Sequence, residues 1–165
     1  MERFGRTCTA LAAVGVVSTL TIGCSAPTPY KSTLDPLALQ QMQTHEFETT
    51  KERLYASVVS VFQDMGFTIL AGDLATGLVS AKSPTVTKAT FGAYLSVTIR
   101  ASAFVEVARP GFARIRLNFV ESRNRDLGYG PTTDNDLPNE QPSFYDGVFS
   151  KIREALFVRD AANPT

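Results

Sequence analysis

The chain has 165 residues, of which 44% are hydrophobic and 19% are charged, and its formal net charge is zero. This length and composition predict one folded globular domain rather than a disordered chain. The sequence has no basic stripe of the kind that binds a phosphate backbone. We therefore do not expect a nucleic-acid partner.

Few residues could carry catalysis or bind a metal. The two cysteines, Cys8 and Cys24, lie near the N-terminus, and His45 is the single histidine. Zinc sites need several Cys or His ligands, and no acidic residues have the spacing of a calcium loop. The sequence also lacks a G-x-S-x-G motif and a phosphate-binding glycine loop. We expect no metal, no cofactor and no enzymatic activity.

Residues 1–23 have the three parts of an export signal. Arg3 and Arg6 make the start basic, residues 7–20 are uncharged and mostly apolar, and small residues precede Cys24. The uncharged run is marginal for a membrane span, which favours a signal peptide that is cleaved. A plain secretory signal and an uncleaved anchor are the alternatives.

The residues Thr21-Ile22-Gly23-Cys24 resemble a lipobox, the signal of bacterial lipoproteins. The resemblance implies that the leader is cut before Cys24, which then carries acyl chains on its thiol and amino groups. Thr21 departs from the pattern, which usually has Leu there. Ser25 in place of Asp implies the outer membrane, with the domain facing the periplasm. Each buried methylene contributes roughly 0.8 kcal/mol, so several chains would anchor the protein stably.

The sequence after the signal predicts three regions. Residues 24–39 begin with a segment rich in Ser, Pro and Thr, which is typical of a flexible tether. Residues 40–160 contain the apolar patterns of a single domain. Residues 161–165 are expected to form a disordered tail.

The first half of the domain predicts a strand, a helix and a hairpin. Gln43–Phe47 is the first strand, and Thr49 with Glu52 has the spacing of a capping box before a helix over Lys51–Met65. Two strands, Phe67–Ala71 and Leu78–Lys82, follow. The apolar face of the helix consists of Leu54, Val58, Val61, Phe62 and Met65.

The second half predicts another hairpin and a second helix. Tyr94–Val107 and Phe112–Glu121 flank a turn at Arg109-Pro110-Gly111, whereas residues 83–90 interrupt the pattern and residues 122–141 read as a long mobile loop. A helix with Phe144, Val148, Ile152 and Leu156 on one face follows Pro142. The predicted fold is α+β, a two-layer sandwich in the order β-α-β-β-β-β-α. Two amphipathic helices cover an antiparallel sheet of four to five strands.

Several segments resemble a family of uncharacterised bacterial envelope lipoproteins. Residues 43–49 are similar to its Q-x-R-x-F-[DE]-T start, with His45 where the family often has Arg. Residues 61–67 are similar to its L-Q-D-[LM]-G-F motif, with Phe62 in place of the usual Leu. Residues 145–157 match its Y-x-x-[FV]-F-x-K-[LI]-x-x-[AS]-[LV]-F ending. A weaker similarity of pattern links the chain to helix-grip modules of outer-membrane β-barrel assembly lipoproteins. Neither resemblance implies a catalytic residue.

Three arginines are candidates for binding a partner. In the last strand Ala113, Ile115, Leu117 and Phe119 alternate with Arg114 and Arg116, so both arginines should face solvent. Arg100 lies on the strand predicted to pair with it. Cross-strand pairing with Glu106 or Glu121 is the alternative role for these charges.

His45 and Glu46 are the one combination that could suggest acid–base chemistry. Adjacent strand residues point to opposite faces, so we expect the two side chains not to cooperate and His45 to be a surface or edge residue. These observations favour a non-catalytic interaction module of an envelope complex, anchored to the membrane through Cys24. The alternative is a protein that binds a lipid or a small apolar ligand between helix and sheet.

Overall fold

The structure is a computed structural model that describes residues 32–90, 92–127 and 133–162. Within these ranges it has three helices: α1 (Pro36–Gln43), α2 (Lys51–Asp64) and α3 (Pro142–Ala162). The strands are β1 (Thr44–Glu48), β2 (Thr68–Asp73), β3 (Leu78–Lys82), β4 (Val86–Thr90), β5 (Ala93–Arg109), β6 (Phe112–Asp126) and β7 (Thr133–Pro138). The predicted signal peptide, Cys24, the first part of the tether and residues 163–165 lie outside the described residues.

All strands pair antiparallel in one sheet of order β1-β6-β5-β3-β2. The long strands β5 and β6 form its centre and extend beyond the other members. β4 pairs with the beginning of β5, and β7 pairs with the end of β6. Helices α2 and α3 pack against each other and cover one face of the sheet, which confirms the predicted α+β fold.

The core lies between the two helices and the sheet. Most residues of the two predicted apolar helix faces are buried, including Leu54, Val58, Phe62, Ile152 and Leu156, whereas Met65 and Phe144 are half-buried at the edge of the core. The predicted inner face of β6 is also buried and consists of Ala113, Ile115, Leu117 and Phe119. The alternation along β6 therefore places Arg114 and Arg116 on the opposite face, as predicted.

The ends of α2 follow from local sequence. The side chain of Thr50, one residue later than the predicted cap, accepts a hydrogen bond from the Arg53 N–H at 3.3 Å. Gly66 follows the helix with φ +82, a conformation that glycine adopts without strain. The ring of Phe62 then lies 5.8 Å from that of Phe67 and 6.0 Å from that of Phe119, which joins α2 to the sheet.

The predicted tether, residues 24–39, extends too far, because its last four residues belong to helix α1. Helix α1 begins at Pro36, where the Asp35 carboxylate accepts a hydrogen bond from the Leu37 N–H at 3.1 Å. Proline at the first helical position and Asp at the cap explain this start. At the C-terminal end of α1, the Gln43 side chain is buried, and the amide nitrogen of Gln43 lies 3.5 Å from the Tyr145 hydroxyl of α3.

The sheet has seven strands rather than the predicted four to five. β4 lies in the predicted interruption at residues 83–90, and β7 lies in the predicted loop at residues 122–141. Both are mostly polar, so hydrophobic alternation did not reveal them. Side-chain hydrogen bonds join β6 to β7, including Asn124 to Asp134 at 2.7 Å. Helix α3 also continues to Ala162, past the start of the predicted tail.

Candidate functional site

The face of the sheet opposite α2 and α3 carries the candidate site, which we call the exposed sheet face. Paired residues on neighbouring antiparallel strands share a face, so the strand register arranges its side chains in rows. Four rows run across the sheet, and each is named after its main residue or residue type: the Arg114 row (Glu46, Arg114, Glu106), the Arg116 row (Thr44, Arg116, Phe104, Leu78), the serine row (Asn118, Ser102, Ser80) and the Arg100 row (Val120, Arg100, Lys82).

The Arg114 row is internally neutralised. The guanidinium of Arg114 donates to Glu46 Oε1 at 2.7 and 3.0 Å and to Glu106 Oε1 at 3.3 Å. These hydrogen bonds from Arg114 hold the pKa of the Glu46 carboxyl below its ordinary value, with a smaller effect from Arg109. The alternative role predicted for Arg114, pairing with Glu106, is therefore confirmed. Glu121, the other predicted partner, pairs instead with Arg123 at 2.5 Å.

Arg116 differs from Arg114 in its partners. Its guanidinium lies 3.4 Å from the Gln43 side-chain oxygen, and no carboxylate of the described residues lies within 4 Å of it. The neighbouring Phe104 and Leu78 side chains are 40% and 53% exposed. A groove of about 420 Å³ runs between this row and α1, where Leu37, Gln40 and Gln41 form its other side. The Arg116 row thus combines an uncompensated cation with exposed apolar surface.

The serine row forms a low strip between two rows of larger side chains. Ser80, Ser102 and Asn118 are short, and a hollow of about 180 Å³ lies where the strip meets Phe104 and Arg116. On its other side Arg100 forms an ion pair with Asp136, whereas Lys82 has no ion pair within the described ranges. Alternation along β5 could have revealed Ser102 and Phe104, because they alternate with the buried residues Ala101, Ala103 and Val105.

His45 lies on edge strand β1 and points to the helix-covered face. Its ring centroid is 4.8 Å from that of Phe47 and 5.2 Å from that of Phe149, and Arg153 lies 3.4 Å from Nε2. Burial lowers the pKa of His45, and the positive charge of Arg153 lowers it further. Glu46 points to the exposed sheet face, so the two neighbours do not cooperate, as predicted. His45 is thus an edge residue that packs against aromatic rings.

In the part of the chain that the structure describes, no group of three or more His, Cys, Asp or Glu side chains is arranged to hold a metal ion. None of the described helices is both long and apolar enough to cross a membrane. Of the predicted site residues, Arg100, Arg114 and Arg116 come together on the exposed sheet face.

Comparison with known proteins shows weak similarity to solved structures. No family model and no curated protein matches the chain. Among solved structures, the chain is similar to a DUF4468 family protein from Bacteroides ovatus, with 12% sequence identity and a TM-score of 0.37. The match covers 68% of this chain and 84% of that chain. A similarity this low indicates neither a ligand nor a partner.

Proposed function

We propose that this protein is a lipoprotein of the bacterial cell envelope, anchored in the outer membrane through Cys24, and that its domain binds an envelope protein without catalysing a reaction. The anchor rests on the resemblance of residues 21–24 to a lipobox. The observation that carries the binding role is the exposed sheet face, where α2 and α3 leave the Arg116 row uncovered and α1 flanks it across a groove.

The composition of this face supports a binding role. An apolar surface rimmed by polar groups is typical of interaction sites, and both aromatic residues and arginine are enriched in protein interfaces. Phe104 and Leu78 supply the apolar part. Arg116 lies beside Phe104 in the same row, and Arg100 lies on the far side of the serine row. These side chains project from neighbouring strands of one sheet. The surface is therefore held rigidly, which lowers the entropy cost of binding.

The spacer before α1 is consistent with this role. Ten residues, 25–34, separate Cys24 from Asp35, and the eleven chain steps between these two residues can reach at most about 40 Å when extended. Such a reach would let the domain meet a partner near the membrane without lying on the bilayer. The exposed sheet face would then remain accessible.

A second proposal is the binding of a lipid or a small apolar ligand. The groove beside α1 favours it, because its volume of about 420 Å³ falls in the range of ligand pockets and Leu37 and Phe104 line it. The space between α3 and the sheet, which matches the predicted location between helix and sheet, is filled by buried side chains such as Tyr145 and Ile152. The groove is thus the better location for this alternative.

Site-directed photo-crosslinking would test the binding role. Phe104 would be replaced by p-benzoylphenylalanine, and Phe157, which is 74% exposed on α3, would be replaced in the same way as a control. We expect a specific protein adduct in intact cells from position 104 but not from position 157. Adducts of equal yield from both positions, or no adduct from position 104, would contradict the proposal.

Metabolic labelling with a palmitate analogue would test the anchor. The wild-type chain should be labelled and remain in the membrane fraction. Cys24→Ser should be unlabelled and should either leave that fraction or stay unprocessed. Equal labelling of the two forms would show that Cys24 is not the acylated residue.

A further inference from the structure

We infer that the exposed sheet face binds an acidic segment of its protein partner, one that carries large apolar side chains and lies along the serine row. This inference rests on the proposed binding role and adds the chemistry of the partner. Three features of the face carry it: the distribution of unpaired cations, the shape of the serine row, and the carboxylates that surround it.

The cations without carboxylate partners lie on both sides of the serine row. Arg116 borders one side and Lys82 the other, and within the described residues neither forms an ion pair. Arg100, next to Lys82, is paired with Asp136 of β7. Arg114, by contrast, forms ion pairs with Glu46 and Glu106, so its positive charge is already neutralised. Electrostatic complementarity therefore favours a partner with carboxylates over the serine row.

The dimensions of the strip suit a single peptide segment. The Arg116 row and the Arg100 row lie four residues apart along β5, which corresponds to about 13 Å. A helix with its side chains is about 10–12 Å wide, and an extended strand is narrower. The short side chains of Ser80 and Ser102 leave space above the serine row, and the larger side chains of Phe104 and Leu78 form an apolar wall along one side of that space. Large apolar side chains of the segment would pack against that wall.

The carboxylates on the same face disfavour a uniformly anionic surface. Glu46 and Glu106 lie beyond the Arg116 row, and Asp136 lies beyond Arg100. A phosphate-rich membrane laid across the face would meet these carboxylates as well as the cations. A discrete segment can place its acids over Arg116 and Lys82 and avoid them. Protein is thus the partner class that this charge pattern favours.

Mapping the adduct from position 104 would test the inference. The crosslinked peptide, identified by mass spectrometry, should contain several Asp or Glu residues together with Leu, Ile, Val or Phe. In a background with Lys82→Gln and Arg116→Gln the adduct yield should fall at least about fivefold. The control pair Lys88→Gln and Lys151→Gln removes the same charge elsewhere and should leave the yield unchanged. Thermal unfolding of each purified variant would establish that it is folded.

The outcomes separate this inference from the proposed function. An adduct with a neutral or basic peptide, or equal yields from the two double variants, would overturn the acidic partner and leave the binding role intact. An adduct with phospholipid would indicate the membrane instead and would also overturn it. Absence of any adduct from position 104 would remove the binding role itself, and the inference with it.

Discussion

The backbone at Gly77 touches that of Val105 so closely that no side chain fits between them. The Val105 N–H donates to the Gly77 carbonyl at 2.8 Å, and a Cβ on residue 77 would lie 1.9 Å from the Val105 oxygen. Gly77 also has φ +80, which disfavours any side chain. This contact fixes the turn between β2 and β3 against central strand β5. The position of Leu78 on the exposed sheet face depends on it.

Gly77→Ala should therefore lower the free energy of unfolding by more than about 2 kcal/mol, because backbone strain and a steric clash combine. Gly66→Ala is the matched control: Gly66 has nearly the same φ, +82, but a Cβ there would meet no atom within 4 Å. We expect it to cost about 1 kcal/mol, the strain alone. Urea unfolding of both variants measures the difference. Equal losses would mean that the close approach to Val105 is unimportant.

Phe62 should be one of the most sensitive core positions. Its side chain is completely buried and contacts the rings of Phe67 and Phe119. Phe62→Ala would leave a cavity where helix α2 meets the sheet, so we expect a loss of about 3–5 kcal/mol. Phe157→Ala makes the same chemical change at an exposed site and should stay within about 0.5 kcal/mol. A small effect of Phe62→Ala in urea unfolding would contradict the packing described for α2.

The sequence predicted the residues of the core better than it predicted the site. Alternation in β6 correctly assigned Ile115 inward and Arg116 outward, because burial of alternate side chains leaves a direct signal. The neighbours of Arg116 depend on strand register instead. The irregularity between Val107 and Arg109 shifts the pairing, and Phe104 then lies opposite Arg116. A single-residue shift of this kind has no signature in hydrophobicity.

Polar elements were missed for a related reason. β7 is held to β6 by backbone pairing and by polar contacts such as Ser122 to Asp136, at 2.5 Å. The sequence of β7 has the polar composition of a loop, so its extended conformation depends on pairing with β6 and not on its own residues. Helix α1 has a recognisable start at Asp35 and Pro36. Its buried Gln43, however, finds its partners at Tyr145 and Arg116, far away in the sequence.

His45 should make the stability of the domain depend on pH. Burial lowers its pKa from the ordinary value of 6.5, so the unfolded chain binds a proton at a higher pH than the folded chain does. The free energy of unfolding should therefore fall as the pH is lowered from about 7.5 through 6.5, until the folded His45 is also protonated. Since the chain has one histidine, His45→Gln should remove this dependence.

Urea unfolding of untagged protein between about pH 5 and pH 8 would measure this effect. The carboxyl of Glu46, whose pKa is lowered from 4.5, contributes mainly below about pH 5.5, at the lower edge of this range. His45→Gln should also lose the ring contacts with Phe47 and Phe149, which lowers stability at every pH. A wild-type curve with the same slope as that of His45→Gln would contradict the assigned shift.

Removing the two carboxylates that flank Arg114 should strengthen binding of an acidic partner. Glu46 and Glu106 together neutralise Arg114, the one arginine of the exposed sheet face that is flanked by two carboxylates. Glu46→Gln with Glu106→Gln would keep the side-chain shapes and release the charge of Arg114 beside that of Arg116. An acidic partner should then bind more strongly, so the adduct yield from position 104 should rise by at least about twofold. The matched control, Glu154→Gln on α3 with Asp64→Asn at the end of α2, removes two negative charges from the helix layer, on the opposite side of the sheet from Arg114. Raising the salt concentration should reduce the gain, because the new attraction is between exposed charges. A fall in yield would show instead that the glutamates contact the partner, and an equal rise in the control would assign the effect to net charge rather than to Arg114.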